Sequence, residues 1–426
     1  MRVSLRRVAA VVVAAALLTP LAACSASGSD GDKHVTLEFF HRWPNEPKNT
    51  YFKDLVAEFE KENPDITIKT ESVLNDAYKD KVKVVAGSSD APDVLFSWSG
   101  SFLDELVKGG NVMKLDSWLK DNPEIKDRFY ESQLTPMQVD GVQYGLPVDM
   151  QAKLFFYNKD AFAKLGLKVP TTWDEFIDVL DAIKDSGQTP IEFGAKEQWT
   201  IAHYIGTLNQ RVLPEKTFES DMSAAKGTFE NKGYTTALDR FAELTKYMNA
   251  DMTAVGHETA RNAWIAGDAP IMYLQGSEVN YMNDVAFDYG TFNFPSVDGG
   301  KGDSQQLTGA PEGFVVSAKT KHPKEALRFL DFMLNKKNGQ AFTEKTGELS
   351  AVKDAVADSD APAILKSIAG DIVKASAMTP WLDNAYDPQI VTAYLSQTQM
   401  LLGGQRSPED VMDEVRATAK RVRDAS

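Results

Sequence analysis

The chain has a single cysteine in 426 residues, so it offers no pair for a disulfide, no cysteine set for zinc and no second thiol in reserve. Histidine is scarce as well. His34, His41, His203, His257 and His322 are scattered without metal-ligand spacing, and His257-Glu258 lacks the second histidine four residues on. A Walker-type phosphate loop, a Gly-x-Ser-x-Gly nucleophile elbow and a short-period repeat are also missing. Basic charge is in deficit, with 46 Lys and Arg against 61 Asp and Glu and a formal net charge of -15. Nucleic acid and an anionic bilayer surface do not attract such a protein, so neither is expected as a partner. No cofactor and no metal are expected.

The longest apolar run is short and sits at the start. Arg2, Arg6 and Arg7 precede Val8 through Leu18, the basic and apolar regions of a secretory signal. A transmembrane helix needs about 20 apolar residues, and Pro20 interrupts this run, so cleavage is expected instead of a span. The lone cysteine, Cys24, follows Leu21-Ala22-Ala23 and resembles a bacterial lipobox, in which the thiol is acylated and becomes the new N-terminus. Lipid anchoring to the bilayer through Cys24 is the expectation, with an ordinary cleaved signal and an incidental cysteine as the alternative. Several acyl chains on one residue grip a bilayer far better than one. Residues 1–23 are read as signal peptide and 24–33 as a flexible tether, since Ser25-Ala26-Ser27-Gly28-Ser29 is a linker composition. Removing the leader takes three arginines and no acid, which moves the formal charge from -15 to -18.

About 400 mature residues exceed what one hydrophobic core usually organises, so two domains are expected. Val35–Phe40 reads as a strand, Tyr51 to Phe59 as a helix after Thr50, Ile66–Ile68 as a strand, Tyr78–Val85 as a helix and Asp93–Phe96 as a strand. That alternation predicts a mostly parallel sheet with ligand at the carboxyl ends of its strands. Tyr144–Val148 and Leu154–Tyr157 flank a polar step, Asp149 to Lys153, read as a crossing between domains. Thr172 and Glu175 form a capping box for a helix whose stripe is Phe176, Ile177, Leu180 and Ile183. Gly313–Ser317 is a further strand, Pro323 opens a helix, and the chain is helical from Ala341, with Ser407-Pro408 opening the last helix. Strands in the middle and a helical tail point to interleaved domains.

Several stretches in this order carry a family likeness: Phe52 to Glu60 before Asn63-Pro64, Ala91-Pro92-Asp93-Val94, Gly141 to Pro147, Phe156 to Asp160, Pro170 to Phe176 and Gly403 to Glu409. The mature chain resembles the extracytoplasmic sugar-binding proteins of ABC importers, the maltose-binding-protein-like class. The likeness implies a two-lobed α/β fold of the periplasmic-binding-protein type, with interleaved domains joined by hinge crossings and a helical C-terminal region. Lobe 1 is drawn as 34–148 with 300–337 and lobe 2 as 149–299 with 338–426. The family's third crossing usually carries an aromatic after a Gly-Ser or Gly-Pro step, whereas here Gln275-Gly276-Ser277 is followed by Glu278. One stacking platform is therefore in question, with a carboxylate in its place.

A pyranose has an apolar face and a rim of hydroxyls, so its site needs flat aromatics plus carboxylate and amide partners. Trp98, just past the third strand, Trp199 among polar neighbours and Trp381 in a loop with Asp383 and Asn384 are the expected platforms and partners. Trp43, after the first strand, fits either a platform or a core role. Trp173, Trp264 and Trp118 are read as structural. Asp149 at the crossing and Glu312 before the Gly313 strand are the best-placed carboxylates for hydroxyls. Gln275 and Glu278 come next, then Asn45 and Ser97. The expected function is capture of a neutral di- or oligosaccharide between lobes and delivery to the transmembrane subunits of an ABC permease, on the extracytoplasmic face. A sensor lobe and a glycoside hydrolase are the alternatives.

Overall fold

The opening strands are built from β-branched and aromatic residues that suit a buried pleat, and they pair accordingly. In the computed structural model, which describes residues 34–425, Val35–His41 and Ile66–Ser72 run parallel, with Val35 opposite Ile66 and His41 opposite Ser72. The expected leader, the tether and Cys24 lie outside the described residues. Between the two strands, Lys48–Glu62 is a helix that buries Tyr51, Phe52, Leu55, Val56 and Phe59. It begins before Thr50, at Pro47, without a side-chain cap, and ends where the Asn63 N–H meets the Phe59 carbonyl.

The first sheet has the order Ile66–Ser72, Val35–His41, Val94–Trp98, Glu312–Val316, Gly145–Asp149. Glu312–Val316 is antiparallel to both its neighbours, so the sheet is parallel except for one strand that arrives from far along the chain. The second sheet has the order Tyr289–Phe292, Lys153–Asn158, Ile271–Gln275, Ile191–Glu192. Its one reversed strand is Lys153–Asn158. Each sheet thus holds one reversed strand, at a point where the chain passes between the sheets.

Two aromatic cores back these sheets. In the first, Phe39 lies 5.3 Å from both Phe314 and Phe329, centroid to centroid. The helix Lys336–Thr346 joins this side, with Phe342 5.2 Å from Tyr51 and the Tyr51 hydroxyl donating to the Asn338 carbonyl at 3.0 Å. In the second, Phe155 packs on Phe176, Tyr273, Phe292 and Phe294. The helix Trp173–Asp185 carries the expected capping box, the Thr172 hydroxyl accepting from the Glu175 N–H at 3.3 Å and the Glu175 carboxylate accepting from the Thr172 N–H at 3.3 Å. The last helices, Pro388–Leu402 and Pro408–Ala425, close the second core through Tyr394, Leu395, Val411 and Val415.

Three segments pass between the sheets. Residues 150–152 link Gly145–Asp149 to Lys153–Asn158, and 293–311 return the chain to Glu312. A third follows Thr346, where the Met150 N–H donates to the Leu349 carbonyl at 2.7 Å and the Ala351 N–H to the Val148 carbonyl at 3.1 Å. At Gly309 two of them touch so closely that a Cβ would stand 1.9 Å from the Gln151 carbonyl oxygen. Among the described residues no helix is long and apolar enough to cross a membrane.

Candidate functional site

A parallel sheet gathers ligand at the carboxyl ends of its strands, and there the side chains of both sheets meet. Trp98 ends Val94–Trp98, and Glu312, starting a reversed strand, pairs with it in register. Arg42 follows Val35–His41 directly. From the second sheet, Gln275 ends Ile271–Gln275. Trp199 and His203 stand one turn apart on the helix Gln198–Val212, and Trp381 caps the short helix Leu382–Ala385 that carries Asp383 and Asn384. With Asn75 and Lys79 these residues line one cavity of about 340 Å³. Gly100, at φ +73°, admits the backbone of the cavity residue Asn384, whose carbonyl oxygen would lie 2.5 Å from any Cβ there.

Arg42 is the electrostatic centre of one end. Its guanidinium pairs with Glu312 and lies 4.9 Å from the rings of Trp43 and Phe96 and 5.5 Å from that of Trp98. Burial works against its charge, but Glu312, Asp149 and Glu348 more than restore it. Lys79 Nζ sits 5.2 Å from the Trp98 ring. Beneath the cavity, Asp149 is fully buried, accepting from the Glu312 N–H at 3.1 Å and from Gln151 Nε2 at 3.0 Å. Burial, with Glu312 and Glu348 alongside, pushes its carboxyl well above the usual range. Gln151 Nε2 also donates to Glu348 at 3.1 Å, and Glu348 pairs with Lys48.

At the other end the His203 ring lies 4.2 Å from Trp381 and 5.1 Å from Trp199. Burial, aided by Lys153 and His257, holds this imidazole neutral, its pKa far below the ordinary value. Its Nδ1 is buried without a hydrogen-bond partner among the described residues, as is Asp383 Oδ1. Burial raises the Asp383 carboxyl.

Of the residues picked from sequence, Trp98, Trp199, Trp381, Glu312, Asp383, Asn384 and Gln275 line the cavity together. Five do not. Trp43 stacks on Phe52 at 5.2 Å and 10° inside the first core. Asp149 lies under Glu312, and Ser97 is buried with its hydroxyl on the Trp98 carbonyl at 2.8 Å. Asn45 is exposed outside the cavity. Glu278 is buried behind it, bonded to His257 at 2.7 Å. Sequence reasoning missed Arg42, Asn75, Lys79 and His203. The signal for Arg42 was its place right after a strand, and for His203 its position one helical turn past Trp199. Asn75 and Lys79 gave no signal.

Residues 43–340 match the family described as bacterial extracellular solute-binding protein. The chain belongs to that family. Among curated relatives, this solute-binding protein is 28% identical over 376 residues to the multiple sugar-binding protein of Streptococcus mutans, covering 80% of this chain and 81% of that one. It is 24% identical over 423 residues to the galactooligosaccharide-binding protein of Bacillus subtilis, covering 96% and 95%. A solved structure from work on xylan utilization by the thermophilic bacterium Caldanaerobius polysaccharolyticus superposes with a TM-score of 0.81 at 26% identity, over 90% of this chain and 99% of that one. The solute-binding protein therefore has the two-lobed fold of these neighbours, and its cavity lies between the two sheets.

Proposed function

We propose that this protein captures a neutral di- or oligosaccharide in the cavity and hands it to the transmembrane subunits of an ABC permease, without catalysing a reaction. One observation carries the reading. Three indoles share a single cavity with Glu312, Asp383, Asn384 and Gln275, the mix of flat apolar faces and hydroxyl partners that a sugar needs. The cavity size falls in the range of roughly 300–1,000 Å³ typical of small-molecule sites. Two relatives that match most of the chain carry sugar-binding names. We take the lobes as divided from the sequence, except that Lys336–Thr346, packed on Lys48–Glu62, goes with the first and 301–306, bonded to Arg211 and Val212, with the second. In the full reading the protein is held on the outer face of the membrane through acylated Cys24.

A thermal-shift screen over a panel of neutral mono-, di- and oligosaccharides tests the ligand. The right sugar at about 100 times its Kd adds roughly 2.7 kcal/mol of stability, whereas a flat response across the panel sinks the reading. Solution scattering at saturation should then show a smaller radius of gyration, because a ligand bound between lobes favours the closed state. Anchoring is tested separately with a labelled fatty acid on the full chain and on Cys24→Ala, where equal label in both removes it.

A further inference from the structure

Glu278 stands where the family resemblance called for an aromatic, and the structure buries it behind the cavity at 5% exposure. We infer that Glu278 is a positioning residue that holds the Trp199 platform in place from behind. The inference rests on the sugar-binding reading of the cavity. One oxygen of Glu278 bonds His257 Nε2 at 2.7 Å and accepts from Arg261 Nη1 at 3.3 Å. The other accepts the Gln275 N–H at 2.9 Å, capping the turn Gly276–Tyr281, and stands 3.7 Å from Lys153 Nζ. Two of these partners touch Trp199. Lys153 Nζ lies 5.2 Å from its ring centroid, and the His257 ring meets it edge-on at 4.6 Å and 62°. The His257 backbone N–H also donates to Glu197, at the start of the Trp199 helix, at 2.8 Å.

Lys153 is the sensitive member. It is 2% exposed, and its Nζ makes no hydrogen bond among the described residues, so the carboxylate of Glu278 is the ion partner that justifies its charge. Removing one partner of a buried pair leaves the other uncompensated, and a stranded cation shifts toward water or loses its proton. Either response takes away the cation beneath the Trp199 ring, worth more when desolvated than at a surface. Arg261, bonded to the same carboxylate, lies with its guanidinium 3.8 Å from the Tyr281 ring. A glutamine at 278 keeps an acceptor for the Gln275 N–H, loses the charge, and turns an NH2 toward His257 and Arg261 where the second oxygen stood.

The test is a double-mutant cycle of Glu278→Gln with Trp199→Ala, reading affinity by calorimetry for the sugar found in the screen. Glu278→Gln should weaken binding by roughly tenfold in the wild-type background and have little further effect once Trp199 is gone. An equal loss in both backgrounds, or none in either, overturns the inference in favour of a purely structural ion pair. A second readout needs no sugar. The emission of Trp199 is isolated by difference against Trp199→Phe, and its quenching by acrylamide should rise in Glu278→Gln; unchanged quenching overturns the inference. If the quenching changes while no sugar binds the wild type, the sugar reading has failed and the positioning role stands. Should Glu278→Gln not fold, Lys153→Met combined with Glu278→Gln removes both charges of the pair and goes through the same two readouts.

Discussion

What lies under each indole ring decides its role. Trp173 and Trp264 are wholly buried, as their helical patterns suggested. Trp98 ends one strand and Trp43 stands two residues past another, and sequence position alone did not separate them. The difference comes from packing: Trp43 lies against Phe52 and Phe96 in the first core, and it is its neighbour Arg42, seated over both Trp43 and Phe96, that reaches the cavity. Asp149 and Ser97, expected at the ligand, are instead buried, on the Glu312 N–H and the Trp98 carbonyl. A direct comparison follows. Trp43→Ala should lower the unfolding free energy by roughly 3–5 kcal/mol and leave the affinity of the folded fraction unchanged, since it empties a core site. Trp199→Ala, at a partly exposed ring, should leave the unliganded melting temperature nearly intact and weaken sugar binding by about 0.5–1.5 kcal/mol beyond lost area. Like behaviour of the two variants in melting and titration would mean that both rings play one role.

Elements held together by neighbours in sequence were legible. The capping box at Thr172 and Glu175, the stripe from Phe176 to Ile183 and the first five alternating elements all rest on local spacing. The reversed strand was not, because its direction is set by partners such as Phe96 opposite Phe314, whose pairing no local pattern records. Neither was the pivot at Gly309, where the crossings touch backbone to backbone. Gly309→Ala puts a methyl group against the Gln151 carbonyl and should cost roughly 1–3 kcal/mol or more, read as a lower denaturation midpoint. Gly370 is the control. It lies inside the helix Ala363–Lys374 with nothing within 4 Å of a Cβ, so Gly370→Ala should raise stability by roughly 0.5–1 kcal/mol. Loss of stability at both positions would mean that helix and hinge respond to something other than local space.

With no disulfide available, the whole molecule depends on its cores, and these contain tyrosines that burial keeps neutral. Burial raises Tyr78, Tyr204, Tyr234 and Tyr386 well above the ordinary tyrosine value. In the unfolded chain the same groups ionise near pH 10. A group whose folded pKa lies above its unfolded one contributes stability that is complete below the unfolded value and is lost as pH rises past it. Lys153 works the other way, because burial pulls it down to about 8. Between about pH 8 and 10.4 the unfolded chain holds this proton more tightly than the folded one, so stability gains with pH, by up to about 1.4 kcal/mol for each pH unit. Tyr51, Tyr273 and Tyr394 are raised in the same way, and Arg211, lowered to about 10, sides with Lys153. Stability therefore rises up to about pH 10 and then falls, because the tyrosines outnumber the two cations, each tyrosine losing up to about 1.4 kcal/mol for each pH unit. Tyr204 isolates the effect. Its hydroxyl is buried without a hydrogen-bond partner among the described residues, so Tyr204→Phe removes the titrating group at little structural cost. The variant should melt at or above the wild-type temperature at pH 8 and lose stability less steeply above pH 10; a slope identical to wild type would show that the alkaline loss arises elsewhere.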